Sequence, residues 1–314
     1  MKKVITAAFA MAMITASCST GYDKTKSGLV YKIFPGKGGA KPKAGEFVKF
    51  HLRYLIGDKD SVLNSTFEHI PGFTSIDTSE RSNFSFMEIL RMMSPGDSAS
   101  IAISIDTLVS RKLVPGYDEK IFKKGGNIKC MLKLLQVFAS EKDVDAEYKK
   151  ETEAEKAKEL KQLDAYVAKN KLTITKTKNG AYVVIENPGD QTMKADSGYV
   201  ASIMYKGYLE DGKVFDTNMD TSKGKTEPYD VHVGTGGVVD GWEEGLPYFG
   251  KGGKGKILVP AMLGYGPQPR GADIPPYSNL IFDIEVVNVE KAPPMPAQKP
   301  VMPQDMPQQQ PDGE

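Results

Sequence analysis

The feature that most constrains the fold of this 314-residue chain is an internal repeat. The stretch "KSGLVYKIFPG", starting at Lys26, has a close counterpart in "KNGAYVVIENPG", starting at Lys178. After each stretch come a polar spacer and an alternating apolar run, "EFVKFHLRYLI" in the first copy and "GYVASIMYKGYL" in the second. Alternation of apolar and polar residues is typical of half-buried β-strands. We therefore predict a duplicated β-rich domain.

A charged helix is predicted between the two copies, over residues 140–172. This stretch is rich in Glu, Lys and Ala and contains neither Pro nor Gly, and pairs such as Asp145 with Lys149 support a solvated helix. Leu160, Leu163 and Val167 form only a narrow apolar stripe. Because a coiled coil needs such a stripe over several heptads, we interpret the segment as a linker helix packed lightly on a domain.

The first 18 residues are typical of an export signal. Two lysines precede an apolar run of about a dozen residues, which is shorter than the ~20 residues of a membrane-spanning helix. The small residues Ala16 and Ser17 before Cys18 resemble a bacterial lipoprotein signal, which implies cleavage before Cys18 and lipidation of its thiol. Thr15 departs from that pattern, and an ordinary secretory signal is the alternative. We expect an exported, cell-envelope protein (periplasm or outer membrane) that touches the membrane only through a lipid on Cys18.

Charge and residue counts argue against several kinds of function. The formal net charge is +1, from 41 Lys plus Arg and 40 Asp plus Glu, so no surplus is present to bind nucleic acid. The three histidines, His51, His69 and His232, show no metal-ligand spacing. Cys130 lies in an apolar run and is interpreted as a core residue. We expect no metal, no cofactor and no nucleic acid partner.

The second copy, residues 173–291, contains six strand signals and one short helix signal. The helix signal is "VVDGWEEGLPYF", with Asp240 as an N-cap and Glu243 and Glu244 in the first turn. The glycines of "VGTGGVVDG" lack the strand, Gly-Lys-Ser/Thr and helix order of a phosphate-binding loop. Residues 292–314, rich in Pro, Gln and Met, are predicted to be disordered.

Four motifs of the second copy carry a specific resemblance. "YKGYLEDGKVFD", "GGVVDGWEEGL", "MLGYG" and "DIPPYSNLIFDIEVV" stand in the order, and nearly the spacing, of the FKBP family of peptidyl-prolyl cis-trans isomerases. The resemblance implies an α+β fold for each copy, in which a curved antiparallel β-sheet wraps on a short helix. It also implies partners that are unfolded or partly folded polypeptides with Xaa-Pro bonds. The segment "TNMDTSKGKTEP" is longer than in compact family members, and the arginine that often accompanies the family's carboxylate has no clear counterpart.

The resemblance also assigns a site. Trp242 would floor an apolar proline pocket, the hydroxyl of Tyr265 would bind a substrate carbonyl, and Asp216 would stand at the pocket edge, hydrogen-bonded by Tyr205; these would be the catalytic residues Asp216, Tyr265 and Trp242. The backbone N–H of Val239 would bind a second carbonyl. Each aromatic taken singly would be read as core. The predicted substrate-binding residues are Tyr205, Phe215, Tyr229, Val238, Val239, Ile274 and Phe282.

The first copy, residues 25–139, keeps the frame of the family but not its site. Asn64 falls at the carboxylate position, Phe86 at the tryptophan, Val109 near the tyrosine, and Leu52 at the wall tyrosine. A pocket that lacks both the hydroxyl and the carboxylate cannot supply the polar contacts that catalysis needs, so this copy is predicted to be inactive. Binding of unfolded chains, formation of a homodimer and spacing of the active domain from the membrane are its open roles.

Two functions compete at this point. The first is a prolyl isomerase that assists the folding of exported or envelope proteins. The second is a non-catalytic chaperone or binding module for proline-containing or hydrophobic segments. Asp216, Trp242 and Tyr265 favour the first, because a pure binding protein needs less of that polar geometry. A metal- or nucleotide-dependent enzyme is disfavoured because the sequence has no ligand clusters.

Overall fold

The computed structural model describes residues 21–293 except 58, 119–121, 221, 223 and 225. The predicted signal with Cys18 and residues 294–314 of the predicted disordered tail lie outside the described residues. The chain divides into two compact units, Met1–Thr152 and Glu153–Glu314. The division falls inside the long helix that joins the two copies, so this helix does not form a unit of its own.

The first unit is built on a seven-stranded antiparallel sheet with the order β1-β2-β6-β7-β3-β4, in which β5 also pairs with β3. Two short helices accompany it, α1 (Phe86–Leu90) and α2 (Ile105–Ser110). A 3-10 turn covers Glu80–Ser82. The strands are β1 (Asp23–Lys24), β2 (Val30–Phe34), β3 (Phe47–Ile56), β4 (Ser61–Ser65), β5 (Gly72–Ser75), β6 (Ser98–Ser104) and β7 (Asn127–Phe138).

The second unit repeats this topology strand for strand. Its order β11-β10-β14-β13-β9-β8, with β12 also paired to β10, is the first order read from the other end. Helix α4 (Asp240–Gly245) takes the place of α1, and 3-10 turns cover Leu246–Tyr248 and Ala261–Leu263. The strands are β8 (Thr175–Lys176), β9 (Tyr182–Asn187), β10 (Tyr199–Leu209), β11 (Val214–Thr217), β12 (Tyr229–His232), β13 (Lys254–Val259) and β14 (Leu280–Lys291). The predicted α+β fold with two such domains is confirmed.

An equivalent side-chain hydrogen bond to a glutamate of the short helix occurs in each unit. In the first unit, the carboxylate of Glu88 accepts a hydrogen bond from the hydroxyl of Ser27 at 2.6 Å. In the second unit, Glu244 accepts hydrogen bonds from the Thr177 hydroxyl and from the Asn179 side chain and backbone N–H. Each glutamate therefore holds the loop before the second strand of its unit against the short helix.

Helix α3 (Glu141–Asn170) has residues in both units. In its first turns, Glu147 and Glu151 pair with the buried Nζ of Lys49 at 2.8 and 2.5 Å. In its later turns, Leu163 is fully buried in a cluster with Tyr182, Val184, Leu258 and Ile281. The interpretation of a lightly packed linker helix is wrong for this part of α3, because it covers one face of the second sheet.

The other face of the second sheet packs on α4. Trp242, Leu246 and Phe249 join a buried cluster with alternate residues of the strands, such as Ile257 and Val259 of β13. Successive strand residues point to opposite faces, so Leu258 contacts the α3 side while its neighbours contact the α4 side. The last three residues of β13 are thus buried on both faces, whereas its first half alternates between buried and more exposed residues as predicted.

Cys130 is a core residue of the first unit, as predicted. Its side chain is buried in β7 and unbonded to another cysteine in the described part of the chain. Burial raises the pKa of the Cys130 thiol to about 12, so the thiol is protonated and unreactive at neutral pH. Across residues 21–293, with the gaps given above, no cluster of three His, Cys, Asp or Glu side chains is arranged to hold a metal ion. Nor does any helix there have the length and apolar character that crossing a membrane requires.

Candidate active site

Strands β10 and β11 place the predicted carboxylate beside the predicted wall tyrosine. The Tyr205 hydroxyl donates to Oδ2 of Asp216 at 2.5 Å, and the Thr217 backbone N–H donates to Oδ1 at 2.9 Å. Asp216 lies within β11 and is exposed, so the cost of burying a carboxylate does not arise. Burial and the bond to Asp216 raise the pKa of Tyr205, which keeps this phenol a protonated donor. The predicted hydrogen bond is confirmed.

The floor of the site is a set of aromatic edge-to-face contacts. Trp242 is only 4% exposed, and its ring centroid lies 5.3 Å from that of Tyr205 and 5.1 Å from that of Phe282. Phe215 meets Phe282 at 5.7 Å. Such contacts favour perpendicular rings, and all three pairs lie at 82–84°. Gly207 makes room for them, because a Cβ there would lie 2.5 Å from the Phe215 ring.

A cavity of about 500 Å³ opens above this floor. The structure brings all of the sequence-predicted site residues together around it. They are Tyr205, Phe215, Asp216, Tyr229, Val238, Val239, Trp242, Tyr265, Ile274 and Phe282. These ten residues give the cavity an aromatic and aliphatic lining with three tyrosine side chains and the carboxylate of Asp216. The catalytic and binding roles assigned to these residues stay predictions.

Three further residues line the cavity that the sequence prediction did not include: Gly237, Arg270 and Asp273. The Arg270 guanidinium lies over the Tyr265 ring, 4.6 Å from its centroid. The backbone N–H of Arg270 donates to the carbonyl oxygen of Ile274 at 3.0 Å. Asp273 pairs with Lys213 at 2.9 Å. Arg270 and Asp273 are signalled in the sequence only by their position in the loop after "GYG", because loop residues reach a pocket through tertiary contacts.

Asn218 is a buried polar residue that supports the site from behind, and sequence reasoning missed it. Its Oδ1 accepts the Tyr205 backbone N–H at 2.6 Å. Its Nδ2 donates to the carbonyl oxygens of Ile203 at 2.9 Å and of Glu227 at 3.0 Å. Both ends of the long segment after β11 are thereby fixed to β10. A lone Asn in a polar stretch gives no sequence signal for this role.

Helix α4 begins differently from the prediction. Val239 is the N-cap, Asp240 is the first helical residue, and no side chain caps the helix, so the expected Asp240 N-cap is wrong. The nearby carboxylate of Glu243 instead accepts the backbone N–H groups of Gly234 at 2.6 Å and Gly236 at 2.9 Å. A phosphate-binding loop needs its backbone N–H groups free for the ligand, and these two are already bonded to a carboxylate.

The first unit shows the same ladder with different side chains. The Thr66 backbone N–H donates to the carbonyl oxygen of Leu52 at 2.9 Å. In the same way, the Asn218 backbone N–H donates to the carbonyl oxygen of Tyr205 at 3.1 Å. Leu52 thus occupies the position of Tyr205, as the sequence comparison predicted. A leucine cannot donate a hydrogen bond to the neighbouring strand.

The next pair of ladder positions explains why the first unit has no equivalent floor. Asn64 pairs with Tyr54 in the same way that Asp216 pairs with Gly207. The Tyr54 side chain packs against the core cluster of the first unit, at the position where the second unit needs a glycine. Phe86, at the tryptophan position, packs on Phe50 with ring centroids 5.3 Å apart.

Comparisons with known proteins find one family over the second unit. A family model described as FKBP-type peptidyl-prolyl cis-trans isomerase matches residues 191–287. A Neisseria meningitidis serogroup C protein named FK506-binding protein is 38% identical over 96 residues, which cover 31% of this chain and 84% of that protein. A probable FKBP-type peptidyl-prolyl cis-trans isomerase of Haemophilus influenzae is 35% identical over 195 residues, or 62% of this chain and 73% of that protein.

Among solved structures, Escherichia coli FkpA matches with 31% identity and a TM-score of 0.35, over 48% of this chain and 70% of that chain. The fold, the family-model match and the relatives together define a proline-directed isomerase. The chain belongs to the FKBP family of peptidyl-prolyl cis-trans isomerases, as its motifs predicted, and its activity is cis-trans isomerisation of Xaa-Pro bonds.

Proposed function

We propose that this isomerase assists the folding of exported or envelope polypeptides, and that catalysis takes place at the cavity above Trp242 in the second unit. The observation that carries the site is the joint position of the buried Trp242 floor and the Tyr205–Asp216 pair on one cavity of about 500 Å³. The partners are unfolded or partly folded chains with Xaa-Pro bonds. The first unit, which has Leu52, Asn64 and Tyr54 at the matching positions, does not catalyse.

The physical task is rotation about a planar amide. The barrier is about 18–20 kcal/mol, because resonance stabilises the planar form, and uncatalysed Xaa-Pro isomerisation takes tens to hundreds of seconds. The planar amide is the more charge-separated form. A cavity that strips water from its carbonyl therefore favours the twisted state, provided that donors fit the twisted geometry better than the planar one.

The residues of the cavity divide this task. Trp242, Phe282 and Phe215 exclude water and receive the proline ring. The Tyr265 hydroxyl is a donor for a substrate carbonyl, and the Asp216 carboxylate supplies a fixed negative charge facing the twisted amide. No nucleophile or proton transfer is required. The twist is stabilised by position and electrostatics alone.

The test is isomerisation of a short Xaa-Pro peptide by the chain lacking residues 1–18. Asp216→Ala and Tyr265→Phe should each lower kcat/KM by roughly 10- to 100-fold, which corresponds to loss of one hydrogen bond to a charged or polarised group. Asn64→Ala is the matched control in the first unit and should leave kcat/KM unchanged. Equal losses in Asn64→Ala would move catalysis out of the second unit. If the folded chain accelerated no peptide, a non-catalytic binding module for proline-containing segments would replace this proposal.

The envelope location is the second part of the proposal. The lysines, apolar run and Cys18 of the first 18 residues support it. Expression of the full chain in a Gram-negative host should place it in the membrane fraction, and Cys18→Ser should release it as a soluble protein. Membrane association that persists in Cys18→Ser would contradict a lipid anchor at this residue. Retention of the full chain in the cytoplasm would contradict export itself.

A further inference from the structure

The second unit contains another cavity, formed by other residues than the active site. It has a volume of about 510 Å³ and lies between α3 and the Ala261–Leu263 turn. Its walls are mainly apolar. The apolar lining residues are Ala157, Leu160, Pro260, Met262 and Leu263.

One carboxyl group of this lining is buried and only half satisfied. Glu159 is 1% exposed, and its Oε2 accepts the Met262 backbone N–H at 3.0 Å. Its Oε1 has no hydrogen-bond partner among the described residues. A buried polar atom without a partner is costly, and native proteins satisfy nearly all of them. The structure therefore has an acceptor that lacks a donor in the wall of a cavity.

The charges around Glu159 set the kind of donor that fits. Burial raises the pKa of Glu159 to about 7, so a large fraction of the carboxyl is ionised at neutral pH. Among its charged neighbours, Glu155 also raises the pKa, whereas Lys158 and Lys156 lower it. Lys156 is paired with Glu153 at 3.0 Å, which balances these two charges of the lining. Glu159 then gives the cavity a negative floor.

We propose that this cavity is a second ligand site, which takes an apolar body carrying an ammonium head group that donates to Oε1 of Glu159 once the carboxyl group turns toward the cavity. The apolar walls bury the body, and the head group supplies the missing donor together with an opposite charge. A carboxylate or phosphate ligand would be repelled. This cavity and the cavity above Trp242 share no lining residue.

The experiment compares n-hexylammonium with n-hexanol, which has the same body without the charge. The full chain lacking residues 1–18 is titrated with each compound, and binding is followed by calorimetry and by the amide signal of Met262 in 1H–15N spectra. Saturable binding of hexylammonium, with a shift of the Met262 amide and at least tenfold weaker binding of hexanol, is the expected result. Equal binding of the two compounds, or no saturable binding, would overturn the proposal.

Two variants and a pH series make the assignment specific. Glu159→Gln should weaken hexylammonium binding at least tenfold, whereas Asp145→Asn, which removes one exposed carboxylate from the same helix, should bind as the parent chain does. Because the cation binds the ionised carboxyl, its dissociation constant should rise about tenfold from pH 8 to pH 6. Thermal melts of each variant show whether Glu159→Gln folds. If it does not, the pH series still tests the role of Glu159, because a pH-independent dissociation constant for hexylammonium would overturn it.

Discussion

At the scale of single residues, the hydrogen bond between Tyr205 and Asp216 is the feature that distinguishes the second unit from the first. It joins the aromatic floor to the charged rim, because the same tyrosine ring packs on Trp242 and donates to the carboxylate. Leu52 in the first unit occupies the same strand position and has neither the ring nor the donor. The first unit also has Asn64 in place of Asp216, so it lacks both partners of this hydrogen bond.

We expect Tyr205→Phe to lower kcat/KM roughly tenfold, because it retains the ring and removes one hydrogen bond to a charged group. The measurement is peptide isomerisation. Tyr208→Phe is the matched control, because Tyr208 lies on the same strand and donates to Asp283 at 2.9 Å, away from the cavity. Equal losses in both variants would show that the effect is general destabilisation rather than loss of a rim contact.

The buried Glu159 has a consequence for stability. Its folded-state pKa of about 7 lies above the ordinary value of 4.5, so the folded state binds the proton more tightly than the unfolded state. The free energy of unfolding should therefore fall as pH rises from about 4.5 to 7, by on the order of 2 kcal/mol, and then level off.

Glu159→Gln should remove this decrease. The measurement is urea unfolding at pH 5 and pH 8, and the variant should gain stability relative to the parent chain at pH 8. Asp145→Asn should behave like the parent chain. If the parent chain and Glu159→Gln changed in stability by the same amount between pH 5 and pH 8, burial of an ionisable Glu159 would be contradicted.

At the scale of elements, strand β10 shapes the pocket through a residue without a side chain. Gly207→Ala would place a Cβ against the rings of Phe215 and Phe282. Because both rings belong to the floor, we expect a loss of roughly tenfold or more in kcat/KM. The measurements are peptide isomerisation and thermal unfolding. Unchanged activity at unchanged stability would contradict the view that close packing at Gly207 creates the pocket.

Helix α3 shows where element prediction from sequence stops. Its composition predicted a helix over 140–172, and the structure has one at Glu141–Asn170. The narrow stripe around Leu163 suggested light packing, yet Glu155 and Glu159 are buried as well. Charged residues count as exposed in any periodicity argument, so the pattern could not predict the burial of these two glutamates.

At the scale of the whole molecule, each of the two units packs its own buried hydrophobic residues on a sheet of the same topology. We expect two thermal transitions by calorimetry. Leu134→Ala, in the first core, and Leu163→Ala, in the second unit, each remove a fully buried side chain, at a cost of about 2–5 kcal/mol. Each should lower one transition by roughly 10 °C and leave the other in place. A single transition that both variants shift together would show that the two cores unfold as one.

The sequence by itself determined the duplication, the strand pattern and the family, because alternation, turn residues and motif order are local or short-range properties of the chain. It also determined ten of the thirteen residues that line the cavity, since the family motifs carry their spacing. Only the tertiary structure revealed the other contributors: Arg270 and Asp273 in a loop, Asn218 behind the site, Tyr54 in the place of a glycine, and Glu159 in a second cavity. Each of these depends on which distant backbone or side chain lies opposite, and no local pattern records such a contact.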